Sequence, residues 1–279
     1  MYITQSIDTT QEIELIQFQL WRKMPLEKKA EIFSNWSKGC WEMCLLAIQN
    51  RYPQCTNKFL REQFLLITLK QDIKDYVNSA YCEQKIMIND PISLTLVMVD
   101  ILEHLEIPYL VGGSVASSLL GEPRSTQDID LVADIKITQI DAFIEAIQPR
   151  FYVSESAVKT AIEYQQSFNI IDNESLVKFD IFILKNEPFY LMEFQRRKQI
   201  IVKSNPEQKI FLPTAEDLIL QKILWYKMGF NSEKQWRDIL GVIKLQLDNL
   251  DQTYLDHWAE ILKISDSLKM ALQQSGFNI

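Results

Sequence analysis

Tyr109-Leu110-Val111-Gly112-Gly113-Ser114-Val115-Ala116-Ser117-Ser118-Leu119-Leu120-Gly121-Glu122-Pro123-Arg124-Ser125-Thr126-Gln127-Asp128-Ile129-Asp130-Leu131-Val132 is the stretch that decides how this chain is read. The sequence holds seven glycines, and Gly112, Gly113 and Gly121 all fall here, which marks a backbone that must turn sharply. An apolar start, two glycines and a short apolar run read as strand, turn and helix. Such a turn aims backbone N–H groups outward at a helix N-terminus, where they can hold phosphate oxygens. Ser114 is expected to cap that helix and Gly121 to end it. A Gly-Gly-Ser turn of purely structural kind has the same appearance, so this element decides nothing alone.

The carboxylates that follow carry more. In a strand over residues 128–132, Asp128 and Asp130 share one face while Ile129 and Leu131 occupy the other. Two neighbouring carboxylates repel unless a cation neutralises them, and oxygen-only ligands suit Mg²⁺ or Mn²⁺, which also take substrate phosphates. A solvated strand edge is the alternative. A third carboxylate, Asp180, interrupts the apolar, β-branched and aromatic run over residues 176–183, which follows the turn-like Asp172-Asn173-Glu174-Ser175 and reads as a buried strand. A carboxylate there is costly unless it is paired or metal-bound. If the two strands are neighbours, three carboxylates converge and two metal ions can clamp a triphosphate. The alternative is an Asp180 paired with a base such as Lys178.

Gly112-Gly113-Ser114, then Arg124-x-Thr126-x-Asp128-Ile129-Asp130, then Asp180 in a later strand resemble the nucleotidyltransferase superfamily of the DNA polymerase beta type. Within it the likeness is to the bacterial branch of small nucleotidyltransferases that includes toxins of abortive-infection type toxin–antitoxin systems. The resemblance covers residues 92–245. It implies that Asp128, Asp130 and Asp180 are catalytic and bind metal, with Asp180 as third ligand or as base toward an acceptor hydroxyl. It also implies that Gly112, Gly113, Ser114, Arg124, Thr126 and Lys222 contact an NTP. Arg237 and Asp238 resemble the family's basic-Asp pair, in which the Asp orients its neighbours. The spacing from Ser114 to Asp128 is long beside the most compact members, and Glu122-Pro123-Arg124 fills it.

The same residues have plainer readings. Lys222, inside Leu218-Ile219-Leu220-Gln221-Lys222-Ile223-Leu224, could bury its stem and put its head in water. Arg237 and Asp238 could form a helix-surface ion pair. Arg124 could bond carbonyls in its own turn. Upstream, Thr214 with Asp217 three residues on starts a helix that runs to about Met228.

The expected fold class is α+β: a nucleotidyltransferase fold, with a mixed sheet flanked by helices over residues 91–212. A helical N-terminal domain spans residues 1–90, and a helical C-terminal region spans 213–279. Helices are expected over residues 20–50, with Pro25 near the first turn, and over 56–70, separated by Arg51-Tyr52-Pro53. Trp21, Phe33, Trp36, Trp41 and Leu45 read as core. Beyond Leu247, helical spacing of Tyr254, Leu255, Trp258, Ile261 and Leu262 reads as a helical tail.

A 279-residue chain with 47% hydrophobic and 24% charged residues belongs with folded domains. Acidic and basic residues cancel over positions 1–90, so the net charge of −8 comes from the remainder. With no dense basic run, a large phosphate-held nucleic-acid footprint is disfavoured. The basic concentration Arg196-Arg197-Lys198 with Lys203 and Lys209 reads as a solvated edge of the hairpin around Ser204-Asn205-Pro206, with guidance of an anionic acceptor or NTP as the alternative. Cys40, Cys44, Cys55 and Cys82 form no Cys-x-x-Cys pair and only His104 and His257 accompany them, so zinc is not expected. No signal peptide or long apolar span is visible, which fits a cytoplasmic protein that does not enter a membrane. The expected reaction is Mg²⁺-dependent transfer of a nucleoside monophosphate from an NTP to a hydroxyl of a tRNA end, a protein or a small molecule, with an antitoxin protein as partner. The alternative is an inactive relative that senses nucleotide or binds a partner.

Overall fold

Pro25 divides the N-terminal helical sequence in two. It lacks a backbone N–H and disfavours helical geometry in the residue before it, and Met24 accordingly turns extended (φ −79°, ψ 130°). The single helix expected over residues 20–50 is therefore two: α1 (Gln11–Lys23), which Thr10 caps, and α2 (Leu26–Arg51). The computed structural model describes residues 2–69, 81, 83–229 and 232–276. Lys70, the last residue of the second expected helix, and Cys82 lie outside them.

In chain order there follow α3 (Asn57–Leu69), α4 (Pro91–His104), β1 (Tyr109–Val111), α5 (Gly113–Leu120), β2 (Asp128–Ala133), α6 (Ile140–Ile147), β3 (Phe151–Val153), α7 (Glu155–Tyr164), β4 (Ser167–Asp172) and β5 (Lys178–Ile183). The remainder comprises α8 (Pro188–Arg196), the hairpin β6 (Lys198–Ser204) and β7 (Glu207–Leu212), and helices α9 (Ala215–Met228), α10 (Glu233–Gln246), α11 (Gln252–Ile261) and α12 (Ser265–Gln274). Thr214 caps α9 as expected: its hydroxyl accepts from the Asp217 N–H at 3.3 Å and donates to the Asp217 carboxylate at 2.8 Å. No helix among the described residues is long and apolar enough to cross a membrane.

The chain forms two units, one of Met1–Glu31, Gly112–Arg124 and Asn186–Ile279, the other of Ile32–Val111 and Ser125–Lys185. The second contains a five-stranded mixed sheet of order β1-β2-β5-β4-β3. Within it β2 and β5 are parallel, whereas β1 pairs β2, and β4 pairs both β5 and β3, antiparallel. Helices α6 and α7 pack against β3 and β4 respectively. Ile129, Leu131, Phe179, Ile181, Phe168 and Ile170 bury one face of the sheet, so β2, β5 and the start of β4 each keep polar residues on the other. Phe33 and Trp41 of α2 are buried as expected, whereas Trp36 is half exposed.

In the first unit α10 packs against α1, α5, α9 and α12. Gly121 permits a close approach to α10: a Cβ there would lie 2.8 Å from the Ser117 carbonyl and 2.9 Å from the Val242 backbone nitrogen. Arg196, expected on a solvated edge, instead lies over the Tyr254 ring and bonds Asp217 at 3.1 Å and Glu216 at 3.3 Å.

Candidate functional site

Strict alternation along β2 puts Asp128 and Asp130 half-buried on one face, over fully buried Ile129 and Leu131. Along β5 the same alternation gives half-buried Lys178 and Asp180 over Phe179 and Ile181. The parallel register sets Asp128 opposite Lys178 and Asp130 opposite Asp180, so all four side chains share a face. The two strands are neighbours, as the three-carboxylate expectation required. Asn169, exposed on β4, stands opposite Asp180 from the other side.

Asp180 does not stand as an isolated carboxylate. Lys178 Nζ lies 2.7 Å from its Oδ2, the pairing weighed as the alternative from sequence. Burial pushes the Asp180 carboxyl above its ordinary range; Lys178 pulls it back and the Asp128 charge adds to the rise. Thr126 is buried, and its hydroxyl donates to the Asp128 carbonyl at 3.0 Å and to the Asp128 carboxylate at 3.2 Å. Its own N–H donates to Ser37 Oγ at 3.2 Å. Thr126 thus fixes the entry to β2 and the aim of Asp128.

The oxygen-only pair Asp128 and Asp130 fits a hard divalent cation. Among the described residues no group of three or more His, Cys, Asp or Glu side chains is arranged to hold a metal ion. Lys178 supplies a positive charge to the third carboxylate, Asp180.

A second cluster forms within the first unit. Gly112 is the N-cap of α5 without a side-chain cap, and Gly113 enters the helix at φ +52°, which favours glycine. The expected cap role of Ser114 is therefore not realised; Ser114 sits in the first turn and accepts from Arg124 Nη2 at 2.8 Å. Arg124 grips Asp238 with two bonds of 2.6 Å each. Lys222, for which snorkelling is the alternative to a phosphate contact, does not put its head in water: it is buried and donates to Asp238 at 2.8 Å and to Gln235 at 3.0 Å. Burial pushes the Asp238 carboxyl up, but the Arg124 hydrogen bonds and the Lys222 charge outweigh it and hold it below the ordinary value.

Arg237 takes no part in this cluster. It is half exposed and reaches Glu122 at 3.4 Å, because consecutive helix residues point about 100° apart. A surface Arg237–Asp238 pair is therefore replaced by a buried Arg124–Asp238–Lys222 triad. Sequence reasoning did not reach Gln235, Asn169 or Ser37. For Asn169 a signal existed in the alternation Ser167-Phe168-Asn169-Ile170; for Ser37 and Gln235, only the fold reveals their partners.

No family model matches the sequence, and no curated protein matches it. Among solved structures, the chain is similar to the crystal structure of an antigenic nucleotidyltransferase-like protein from Paracoccidioides brasiliensis. That match has 21% identity and a TM-score of 0.42, covering 65% of this chain and 91% of that one. It is also similar to the lincomycin-bound crystal structure of the lincosamide antibiotic adenylyltransferase LnuA, at 15% identity and a TM-score of 0.39, covering 55% of this chain and 96% of that one.

Proposed function

We propose that the chain is a nucleotidyltransferase that moves a nucleoside monophosphate from an NTP to an acceptor hydroxyl, on a tRNA end, a protein or a small molecule. The observation that carries this reading is the β2–β5 register, which sets Asp130 beside Asp180 with Asp128 on the same face. Asp128 and Asp130 would hold Mg²⁺ or Mn²⁺, which when bound polarises phosphate and neutralises a pyrophosphate leaving group. Thr126 orients Asp128 by its hydrogen bond. Within the first unit, taken by itself, Gly112, Gly113 and Ser114 would offer backbone N–H groups to an anion, and Asp238 orients the cations of Arg124 and Lys222. Its setting in this reading is cytoplasmic, as a toxin held in check by an antitoxin protein.

One observation favours a second reading, in which the chain binds nucleotide or a partner without transfer. Lys178 occupies Asp180, the residue that would act as third ligand or base. Label transfer separates the two. The chain is incubated with Mg²⁺ and each α-labelled NTP in a cell lysate, after which RNA, protein and small molecules are separated beside an Asp128→Ala, Asp130→Ala control. Label in one fraction, absent in the control, is the expected result and names the acceptor class. Nucleotide binding with no label in any fraction would replace the transferase reading by the second.

A further inference from the structure

We propose that Lys178 is a positioning residue that holds Asp180 as an internal counter-ion, so that the chain takes one divalent cation on Asp128 and Asp130 rather than two shared among three carboxylates. The inference rests on the metal-dependent reading above. Lys178 and Asp180 are two residues apart on β5, hence on one face, and their charged atoms meet at 2.7 Å with both side chains only 15% exposed. The register also places Lys178 directly opposite Asp128, so the ammonium belongs to the same face as all three carboxylates. It balances one of three negative charges there. A second cation recruiting Asp180 would have to break a largely desolvated ion pair and then lie beside the freed ammonium, against like-charge repulsion. Three carboxylates and one ammonium therefore leave the charge that one divalent ion balances.

The test counts ions and does not depend on turnover. Mn²⁺ is titrated into the full chain, and bound ion is measured from loss of the free Mn²⁺ paramagnetic resonance signal, for the wild type, Lys178→Met, Lys178→Arg and Lys178→Met/Asp180→Asn. One Mn²⁺ per chain is expected for the wild type and for Lys178→Arg, which keeps the cation. Two are expected for Lys178→Met, falling back to one when Asp180→Asn is added. Circular dichroism checks that each variant is folded, and Lys178→Arg decides the matter if Lys178→Met is not. Two ions in the wild type or in Lys178→Arg, or one in a folded Lys178→Met, would overturn the counter-ion role while leaving the metal-dependent reading intact. No bound Mn²⁺ in any of the four would overturn both.

Discussion

Replacing Asp238 by alanine removes the one group that both Arg124 and Lys222 grip, and the cost follows from how deeply each is buried. The side chains of Asp238 and Lys222 are 3% and 5% exposed, and that of Arg124 is 18% exposed. Removing one partner of a buried ion pair costs about 3–5 kcal/mol, because a buried charge is left uncompensated. Arg124 lies nearer water and recovers part of its hydration; Lys222 keeps only Gln235. Asp238→Ala should therefore cost about 3 kcal/mol, the lower end of that range. Lys222→Met leaves the bidentate Arg124 grip and should cost about 1 kcal/mol. Once Asp238 is gone the stranded lysine is itself the main cost, so the double variant should be more stable than Asp238→Ala alone and cost at least about 1 kcal/mol less than the sum of the singles. Urea unfolding followed by circular dichroism measures all three. A loss below about 1 kcal/mol for Asp238→Ala, or strict additivity, would refute the reasoning. The contribution also has a pH signature. The folded-state pKa of Asp238 lies below its unfolded value, so its stabilisation is complete above the ordinary carboxylate range and is lost as pH falls through the lowered folded value. Asp238→Ala should abolish that part of the acid sensitivity.

Further outcomes follow from other sites. Gly121→Ala would bring a Cβ within 2.9 Å of the Val242 nitrogen on α10, and should lower stability by about 1–3 kcal/mol in the same urea assay. Glu193 is fully buried and, through burial and the neighbouring Asp217 charge, titrates well above the ordinary carboxylate range. Its folded value is raised, so stability is full below the unfolded value and is lost as pH rises toward the folded one, with a slope of about 1.4 kcal/mol per pH unit at most. Glu193→Gln should remove that slope, and unfolding midpoints compared across pH would show it. Thr126→Val removes the hydroxyl that bonds Asp128 and should cost about 1 kcal/mol in the urea assay.

Residues whose partners lie close in sequence were legible. Asp-Ile-Asp-Leu-Val alternates at period two, and β2 forms with Asp128 and Asp130 on one face. Thr214 and Asp217 stand three apart, and the cap forms between them. The strand carrying Asp180 was also visible, although it begins at Lys178 because Leu176 takes a positive φ of 64° that breaks the run. Pro25 was seen but placed inside one helix, since helical periodicity continues on both sides of it. Long-range partners were not legible: Arg124 and Asp238 are 114 residues apart, and nothing local to either announces the other. Lys222 looked free to snorkel because its carboxylate sits on a different helix, α10. The β2–β5 adjacency was a condition in the sequence reading, and only the sheet order meets it.

The central claim is transfer of a nucleotidyl group through the Asp128 and Asp130 face. Its most direct test runs α-labelled and γ-labelled NTP side by side, with Mg²⁺ and lysate, for the wild type and for Asp130→Asn. The account predicts acceptor label from the α-phosphate alone, γ-label released as pyrophosphate, and neither from a folded Asp130→Asn. Transfer of the γ-label to an acceptor, or equal α-label transfer by Asp130→Asn, would contradict it.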